Sequence, residues 1–162
     1  MKMLSIDIME NMNLLITGGT GFIGSALCSR LLKNNQKITV LSRHPETIKS
    51  PVRAIADIEQ LKEDAIFDIV INLAGEPIAN KRWSNKQKQL IISSRIDTTQ
   101  KLIIFLKRVK NKPKLLINGS AIGYYGISKT NDPVDESSEN DDSFSSQLCQ
   151  QWETVALQAE TI

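Results

Sequence analysis

Three glycines stand three residues apart near the start of the chain, at Gly18, Gly21 and Gly24. They follow a short apolar run, 13–17, and precede a stretch from Ser25 onward with helical spacing of its apolar residues. Glycine permits a sharp turn and a close approach of an anion to the backbone, and the unpaired N–H groups of a helix's first turn face such an anion. This order is typical of dinucleotide sites, where the turn binds pyrophosphate. The alternative is a tight turn without a ligand.

The residues after the second apolar run bear on which dinucleotide fits. A site for NAD usually carries Asp or Glu about 20 residues past the glycines, where it accepts hydrogen bonds from the ribose 2′-hydroxyl. This chain has Ser42 and Arg43 there. A guanidinium is permanently charged and can donate two hydrogen bonds at once, which suits the 2′-phosphate of NADP. The sequence therefore predicts NADP rather than NAD, and the alternative is that Arg43 is a solvated surface residue.

Strand-like and helix-like segments alternate along the rest of the chain. Strands are predicted at 13–17, 37–41, 52–55, 67–73 and 114–118, and helices from Phe22, over 84–109 and from Ser145 onward. In the first helix, we expect one apolar stripe to pack on the sheet, formed by Phe22, Ile23, Ala26, Leu27, Leu31 and Leu32. Alternating strands and helices imply right-handed crossovers and a Rossmann-type, doubly wound parallel sheet of the α/β class. Only part of that fold is readable, so we expect truncation before a C-terminal substrate domain.

Composition points to a small protein with one core. The chain has 162 residues, of which 41% are hydrophobic and 23% charged, and a net charge of +2 without a long block of either sign. This argues against a nucleic-acid partner. Two cysteines, Cys28 and Cys149, form no metal-ligand spacing and no disulfide framework, and no apolar run is long enough for a membrane span. We expect a cytoplasmic protein with an N-terminal extension, 1–12, and one dinucleotide-binding domain, 13–162, that is incomplete at its C-terminal end.

Several further segments follow the glycines in series: 72–78 (NLAGEPI), Arg82-Trp83-Ser84, 94–99 (SRIDTT), 120–126 (SAIGYYG) and Trp152-Glu153. Together they closely resemble the YfcH-type epimerase family. That family is an atypical branch of the extended short-chain dehydrogenase/reductases, in the NAD-dependent epimerase/dehydratase superfamily. The resemblance runs from Met12 to the end of the chain and covers the N-terminal part of the family only.

The resemblance implies a set of cofactor contacts. The glycine loop would line the pyrophosphate, Ser42 and Arg43 would hold the 2′-phosphate, and the residues after the fourth strand would border the adenine-side ribose and the approach to the nicotinamide. Arg95 also matches a contact position, with a helix-surface ion pair as the alternative. Asp57 could approach the adenine. The expected cofactor-binding set is Gly18, Thr20, Gly21, Phe22, Ile23, Gly24, Ser42, Arg43, Leu73, Ala74, Gly75, Arg95 and Ser120.

The catalytic residues of the superfamily are not retained in their usual form. Its members typically use a Ser or Thr and a Tyr-x-x-x-Lys pair, in which Lys lowers the pKa of Tyr. Tyr125 and Lys129 match this spacing, but Gly126 and the polar loop after it argue against a helix there. In the final helix, the register gives Cys149 and Glu153 at the expected place. An acid at the Lys position raises the pKa of a neighbouring proton donor.

Three residues are candidates for a substitute acid/base set: Ser120, Tyr125 and Cys149. Ala121 occupies the usual Ser/Thr place, directly after Ser120. Packing or local hydrogen bonding is the alternative for each candidate, and we favour it for Cys149 because buried free thiols are common.

Two classes of function follow. The first is an NADP-dependent oxidoreductase or epimerase that acts on an unidentified small hydroxyl or carbonyl substrate, with no nucleic-acid or membrane partner. The second is a cofactor-binding fragment without turnover, or a regulatory module. Cofactor titration separates a nucleotide-binding protein from a chain with an unoccupied glycine turn.

Overall fold

The computed structural model describes residues 11–126 and 133–162. Its sheet has five strands in the order β3-β2-β1-β4-β5. The strands are β1 (Asn13–Thr17), β2 (Lys37–Leu41), β3 (Arg53–Ile55), β4 (Ile69–Asn72) and β5 (Leu115–Asn118). β1 pairs in parallel with β2 and β4, and β2 pairs in parallel with β3. This strand order is that of the Rossmann fold and confirms the predicted α/β class.

Three α-helices are present in the described residues, after β1, β4 and β5 respectively: α1 (Phe22–Lys33), α2 (Asn85–Arg108) and α3 (Phe144–Leu157). Short 3-10 turns lie at Pro45–Thr47, Ile58–Gln60, Ile122–Tyr125 and Gln158–Thr161. The predicted helices are confirmed, although the last one gives way to a 3-10 turn after Leu157. No helix in the described ranges is long and apolar enough to cross a membrane.

The chain divides into two compact units. The first contains residues 11–73 and Phe105–Ile117, and the second contains Ala74–Ile104 and Asn118–Ile162. In the first unit, the apolar runs predicted from the sequence form the core, where Leu15, Ile16 and Val70 are fully buried. In the second unit, Ile91, Leu148 and Trp152 are buried.

The strand register brings the ends of three strands to one edge of the sheet. Thr17, the last residue of β1, is paired with Leu41 of β2 and with Asn72 of β4. Since parallel strands end at the same edge, the segments that begin at Gly18, Ser42 and Leu73 all leave the sheet there. This edge is where nucleotide-binding α/β proteins bind their ligands.

The first helix departs from the expected packing at its N-terminal turn. Leu27, Leu31 and Leu32 pack against the core of the first unit. Phe22 and Ile23 do not, because their side chains are 97% and 66% exposed. Ala26 is exposed as well, so the prediction of one buried stripe is wrong for the N-terminal part of the helix and correct from Leu27 onward. Periodicity alone could not reveal this, because it shows which residues share a face and not where the sheet beneath them ends.

Candidate nucleotide and catalytic sites

The glycine loop makes a tight turn that excludes side chains at defined points. Gly18 has a φ of +67°, which favours glycine. The N–H of Gly21 donates to the carbonyl of Gly18 at 3.0 Å. A Cβ at Gly24 would lie 2.2 Å from that same carbonyl oxygen, far inside contact distance. Because the first turn of α1 lies this close to the loop, Gly24 can be only glycine in this conformation.

The N-terminus of α1 is left open by this arrangement. Its N-cap is Gly21, so no side chain caps the first-turn N–H groups, and no acidic residue lies in that turn. Gly21, Phe22 and Ile23 are exposed. Uncapped N–H groups and the positive end of the helix dipole both favour an anion. The geometry therefore fits a phosphate group at the glycine loop.

Ser42 and Arg43 leave the sheet beside the loop, directly after β2. The N–H of Ser42 donates to the carbonyl of Ile55 at 3.0 Å, and its Oγ accepts from the N–H of His44 at 3.1 Å. Ser42 is thereby fixed and buried, whereas Arg43 is exposed. A hydroxyl that accepts one hydrogen bond keeps its own proton for donation. These two residues can together offer donors to an anion.

The two other polar residues of this region make local contacts. Asp57 caps the 3-10 turn Ile58–Gln60 and accepts from the N–H of Glu59 at 3.1 Å. The Nδ1 of His44 lies 3.4 Å from a carboxylate oxygen of Glu46, with both side chains exposed. The contact of Asp57 with adenine stays a prediction, and His44 is the N-cap of the 3-10 turn Pro45–Thr47.

Leu73 joins the end of β4 to the end of β1. Its N–H lies 3.2 Å from both the carbonyl oxygen and the Oγ1 of Thr17. The Thr17 hydroxyl in turn donates to Oδ1 of the buried Asn72. This network fixes the backbone where β4 leaves the sheet, because each strand end is bound to its neighbour.

In the second unit, Arg95 binds the segment that follows β4. Its Nη1 donates to the carbonyl oxygens of Glu76, at 3.1 Å, and Ile91, at 3.2 Å. Its guanidinium lies 5.3 Å from the ring centre of Trp152, and a Cβ at Gly75 would lie 2.8 Å from its Cζ. Burial lowers the pKa of Arg95, and the charges of Cys149 and Glu76 oppose that shift. Arg95 is thus half-buried and bound to main-chain carbonyls, which differs from an ordinary surface ion pair.

Glu153 accepts a hydrogen bond from Ser120 and influences the pKa of Cys149. The Ser120 hydroxyl donates to Oε1 of Glu153. The Cys149 thiol lies one helical turn before Glu153 and is 3.7 Å from the carbonyl oxygen of Ala121. Burial raises the pKa of Cys149, and the carboxylate of Glu153 raises it further. The thiol is therefore held in its protonated form.

Tyr125 is the last residue of the 3-10 turn Ile122–Tyr125, which Gly126 caps with a φ of +68°. Desolvation raises the pKa of Tyr125, and Glu136, Asp135, Tyr124 and Glu153 raise it further. Lys129, which matches Tyr125 by spacing, lies outside the described residues.

Glu153 accepts the hydrogen bond of Ser120, and its charge raises the pKa of both Cys149 and Tyr125. Sequence reasoning placed Glu153 at the superfamily's Lys position but did not propose it as a site residue, because its charge has the opposite sign. The Ser120–Glu153 hydrogen bond joins residues 33 positions apart. The signal available in the sequence was the spacing of four between Cys149 and Glu153, which puts both on one helical face.

Comparison with known proteins identifies the class. The family model for the NAD dependent epimerase/dehydratase family matches residues 14–154. The chain belongs to this family. It is 40% identical over 153 residues to the epimerase family protein SSP1921 of Staphylococcus saprophyticus, and 36% identical over 158 residues to the epimerase family protein YfhF of Bacillus subtilis. These matches cover 91% and 93% of this chain.

Solved structures agree with this class. The human epimerase family protein SDR39U1 (isoform 2), solved with NADPH, matches with a TM-score of 0.74 and 30% identity, over 90% of this chain and 48% of that one. A point mutant of a UDP-glucuronic acid 4-epimerase from Bacillus cereus, solved with UDP-4-deoxy-4-fluoro-glucuronic acid and NAD, matches with a TM-score of 0.75 and 25% identity, over 93% of this chain and 52% of that one. The chain spans about half the length of the curated relatives it matches, 50% of one and 51% of another.

Proposed function

We propose that this chain is the NADP-binding part of an oxidoreductase or epimerase that acts on a small hydroxyl or carbonyl substrate. The observation that carries the proposal is the open N-terminus of α1 behind the glycine loop, which has no capping side chain and no acid in its first turn. Such a terminus favours a pyrophosphate through both its N–H groups and its dipole. Within the family, segments 72–78 and 120–126 support membership of the YfcH-type branch.

Preference for the phosphorylated cofactor rests on the residues after β2. Arg43 is exposed there, beside the fixed hydroxyl of Ser42, and the position carries no acid to bind a free 2′-hydroxyl. The related human protein was solved with NADPH, whereas the related Bacillus cereus epimerase was solved with NAD. The sequence at Ser42 and Arg43 favours the former, because a phosphate needs donors and an acid would repel it.

The remaining proposed contacts are Thr20, Leu73, Ala74, Gly75, Arg95 and Ser120. For Arg95, its hydrogen bond to the Glu76 carbonyl supports a role in shaping the backbone at Gly75. A ligand at that backbone would depend on Arg95 even without touching it.

Titration of the purified chain with NADPH and NADH tests the proposal. Hydrogen bonds to charged groups contribute about 1.5–3 kcal/mol, and solvent exposure of Arg43 puts its contribution at the low end of this range. We therefore expect Arg43→Ala to weaken NADPH binding about tenfold and to leave NADH binding unchanged. Arg53→Ala, at the start of β3 and thus away from this edge, is the matched control. Equal losses for both cofactors would refute the specificity of Arg43.

A cofactor-binding module without turnover is the second candidate. The acid at the superfamily's Lys position favours it. NADPH consumption with a panel of carbonyl compounds separates the two. Saturable NADPH binding without consumption supports the module, and consumption supports the enzyme.

A further inference from the structure

We infer that Ser120 and Glu153 form a proton-exchange pair, in which the Ser120 hydroxyl contacts the substrate oxygen and the Glu153 carboxylate takes and returns the proton. This inference rests on the proposed function and adds the acid/base groups that it lacks. It replaces the superfamily's Tyr-Lys pair with a hydroxyl-carboxylate pair at the corresponding place in the chain.

The geometry of Ser120 supports the role of the contact residue. Ser120 is exposed, two residues beyond β5, and its hydroxyl donates to Glu153. Since that proton is directed at the carboxylate, a lone pair of Oγ can accept a proton from a substrate hydroxyl. A carboxylate within hydrogen-bond reach of a hydroxyl is the arrangement required of a general base.

The backbone that carries Glu153 is fixed by its neighbour. Trp152 is buried, and its Nε1 donates to Oγ1 of the buried Thr99 at 2.9 Å. At the other end of α3, Ser146 donates to the carbonyl of Tyr124 at 2.7 Å. These two bonds attach α3 to α2 and to the turn that follows Ser120. Glu153 is therefore held in place before any ligand binds, and preorganisation of this kind is what makes a proton acceptor effective.

The proton transfer balances when a nicotinamide dinucleotide takes the hydride. In the oxidation direction, the substrate O–H bond breaks and its proton passes to Ser120 Oγ, while the Ser120 proton passes to Oε1 of Glu153. The substrate C–H bond breaks at the same time, and its electron pair leaves with the hydride to the oxidised dinucleotide, so that a C=O bond forms. Reduction reverses each step, as an epimerase requires.

The neighbouring Cys149 and Tyr125 are less suited than Glu153 to act as the proton acceptor. The Cys149 thiol remains protonated because burial and Glu153 raise its pKa, and the backbone hydrogen bond at Ala121, the charge of Arg95 and the hydrogen bond of Ser120 oppose this shift only partly. A neutral thiol is a poor nucleophile. Tyr125 also stays protonated beside Glu136, Asp135 and Glu153, so it can donate a proton but not accept one.

Turnover provides the first test. NADPH consumption with phenanthrenequinone as the carbonyl probe is measured for the wild type, Glu153→Gln, Glu153→Asp and Ser120→Ala. We expect kcat to fall about a hundredfold for Glu153→Gln and Ser120→Ala, partial recovery in Glu153→Asp, and a flattened pH profile in Glu153→Gln. Glu160→Gln, on the exposed 3-10 turn after α3, is the matched control. NADPH affinity should be unchanged in the three variants at Glu153 and Glu160, whereas Ser120→Ala also removes a proposed cofactor contact.

Thiol chemistry provides a second test that needs no turnover. In a Cys28→Ala background, the pH dependence of Cys149 alkylation by iodoacetamide reports its pKa. Removing the carboxylate charge in Glu153→Gln should move that pKa down and make alkylation faster at a given pH, whereas Glu160→Gln should not.

The outcomes separate this inference from the function on which it rests. Failure to bind NADPH overturns the proposed function. NADPH binding without wild-type turnover supports the module without turnover and overturns both the proposed enzyme and the proton-exchange pair. Turnover that Glu153→Gln leaves intact, or a Cys149 pKa that does not change in Glu153→Gln, overturns the proton-exchange pair alone.

Discussion

Replacement of Gly24 by alanine tests the tight packing of α1 against the glycine loop. The added Cβ would lie 2.2 Å from the carbonyl oxygen of Gly18 and 2.7 Å from Cα of Gly19. Both are backbone atoms, so no side-chain rotation can relieve the contact. The loop itself must move, and with it the N–H groups that we propose bind the pyrophosphate.

We expect Gly24→Ala to lower the folding stability because of this close contact. Overpacking costs about 1–3 kcal/mol, and we expect a loss near the upper end because both contacted atoms belong to the backbone. At about 3 kcal/mol, and with roughly 2–4 °C per kcal/mol for a chain of this size, Tm should fall by about 6–12 °C. NADPH affinity should fall as well, since the loop that binds the phosphates is displaced.

Thermal unfolding with and without NADPH measures both effects. Gly21→Ala is the matched control, because its Cβ would lie 3.2 Å from the same carbonyl oxygen and needs a shift of only a few tenths of an ångström. Gly24→Ala should be clearly less stable than Gly21→Ala. A Gly24→Ala protein with the Tm and NADPH affinity of the wild type would refute the packing that the structure shows.

Two further substitutions test the core of each unit. Trp152→Phe removes the Nε1 donor to buried Thr99, and we expect a loss of about 1–2 kcal/mol, seen as a lower urea midpoint; an unchanged midpoint would contradict the bond. Burial raises the pKa of the Cys28 thiol in the first unit. The contribution of this thiol to folding stability is therefore full below the unfolded pKa of about 8.5, and it is lost as the pH rises from there through the folded pKa. Cys28→Ala should therefore lose less stability than the wild type under alkaline conditions, and identical pH profiles would count against a buried thiol.

The strands were largely predictable from the sequence because each is a short apolar run between turn residues. β1 and β2 have the predicted bounds, 13–17 and 37–41. The exposure of Phe22 and Ile23 was not predictable, since spacing shows a shared face and not its cover. In this chain, the glycine loop was a better indicator than the helical spacing that the first turn of α1 is exposed.

The hydrogen bond between Ser120 and Glu153 depends on tertiary packing, which a local sequence pattern does not predict. The candidates Ser120, Tyr125 and Cys149 came from motif positions, and only the spacing of Cys149 from Glu153 indicated that Glu153 lies near one of them. Their meeting depends on α3 lying against the turn after β5, which Ser146 secures through the carbonyl of Tyr124. Tertiary packing of this kind sets both the pKa of Cys149 and the hydrogen bond of Ser120.

Titration of the isotopically labelled chain with NADPH, followed by amide chemical shifts, tests the binding of phosphate at the N-terminus of α1. The account predicts large, saturable shifts at the N–H groups of Phe22, Ile23 and Gly24, with smaller shifts at the far end of α1. If NADPH binds while these three amide signals stay in place, the pyrophosphate is held elsewhere and the account is wrong.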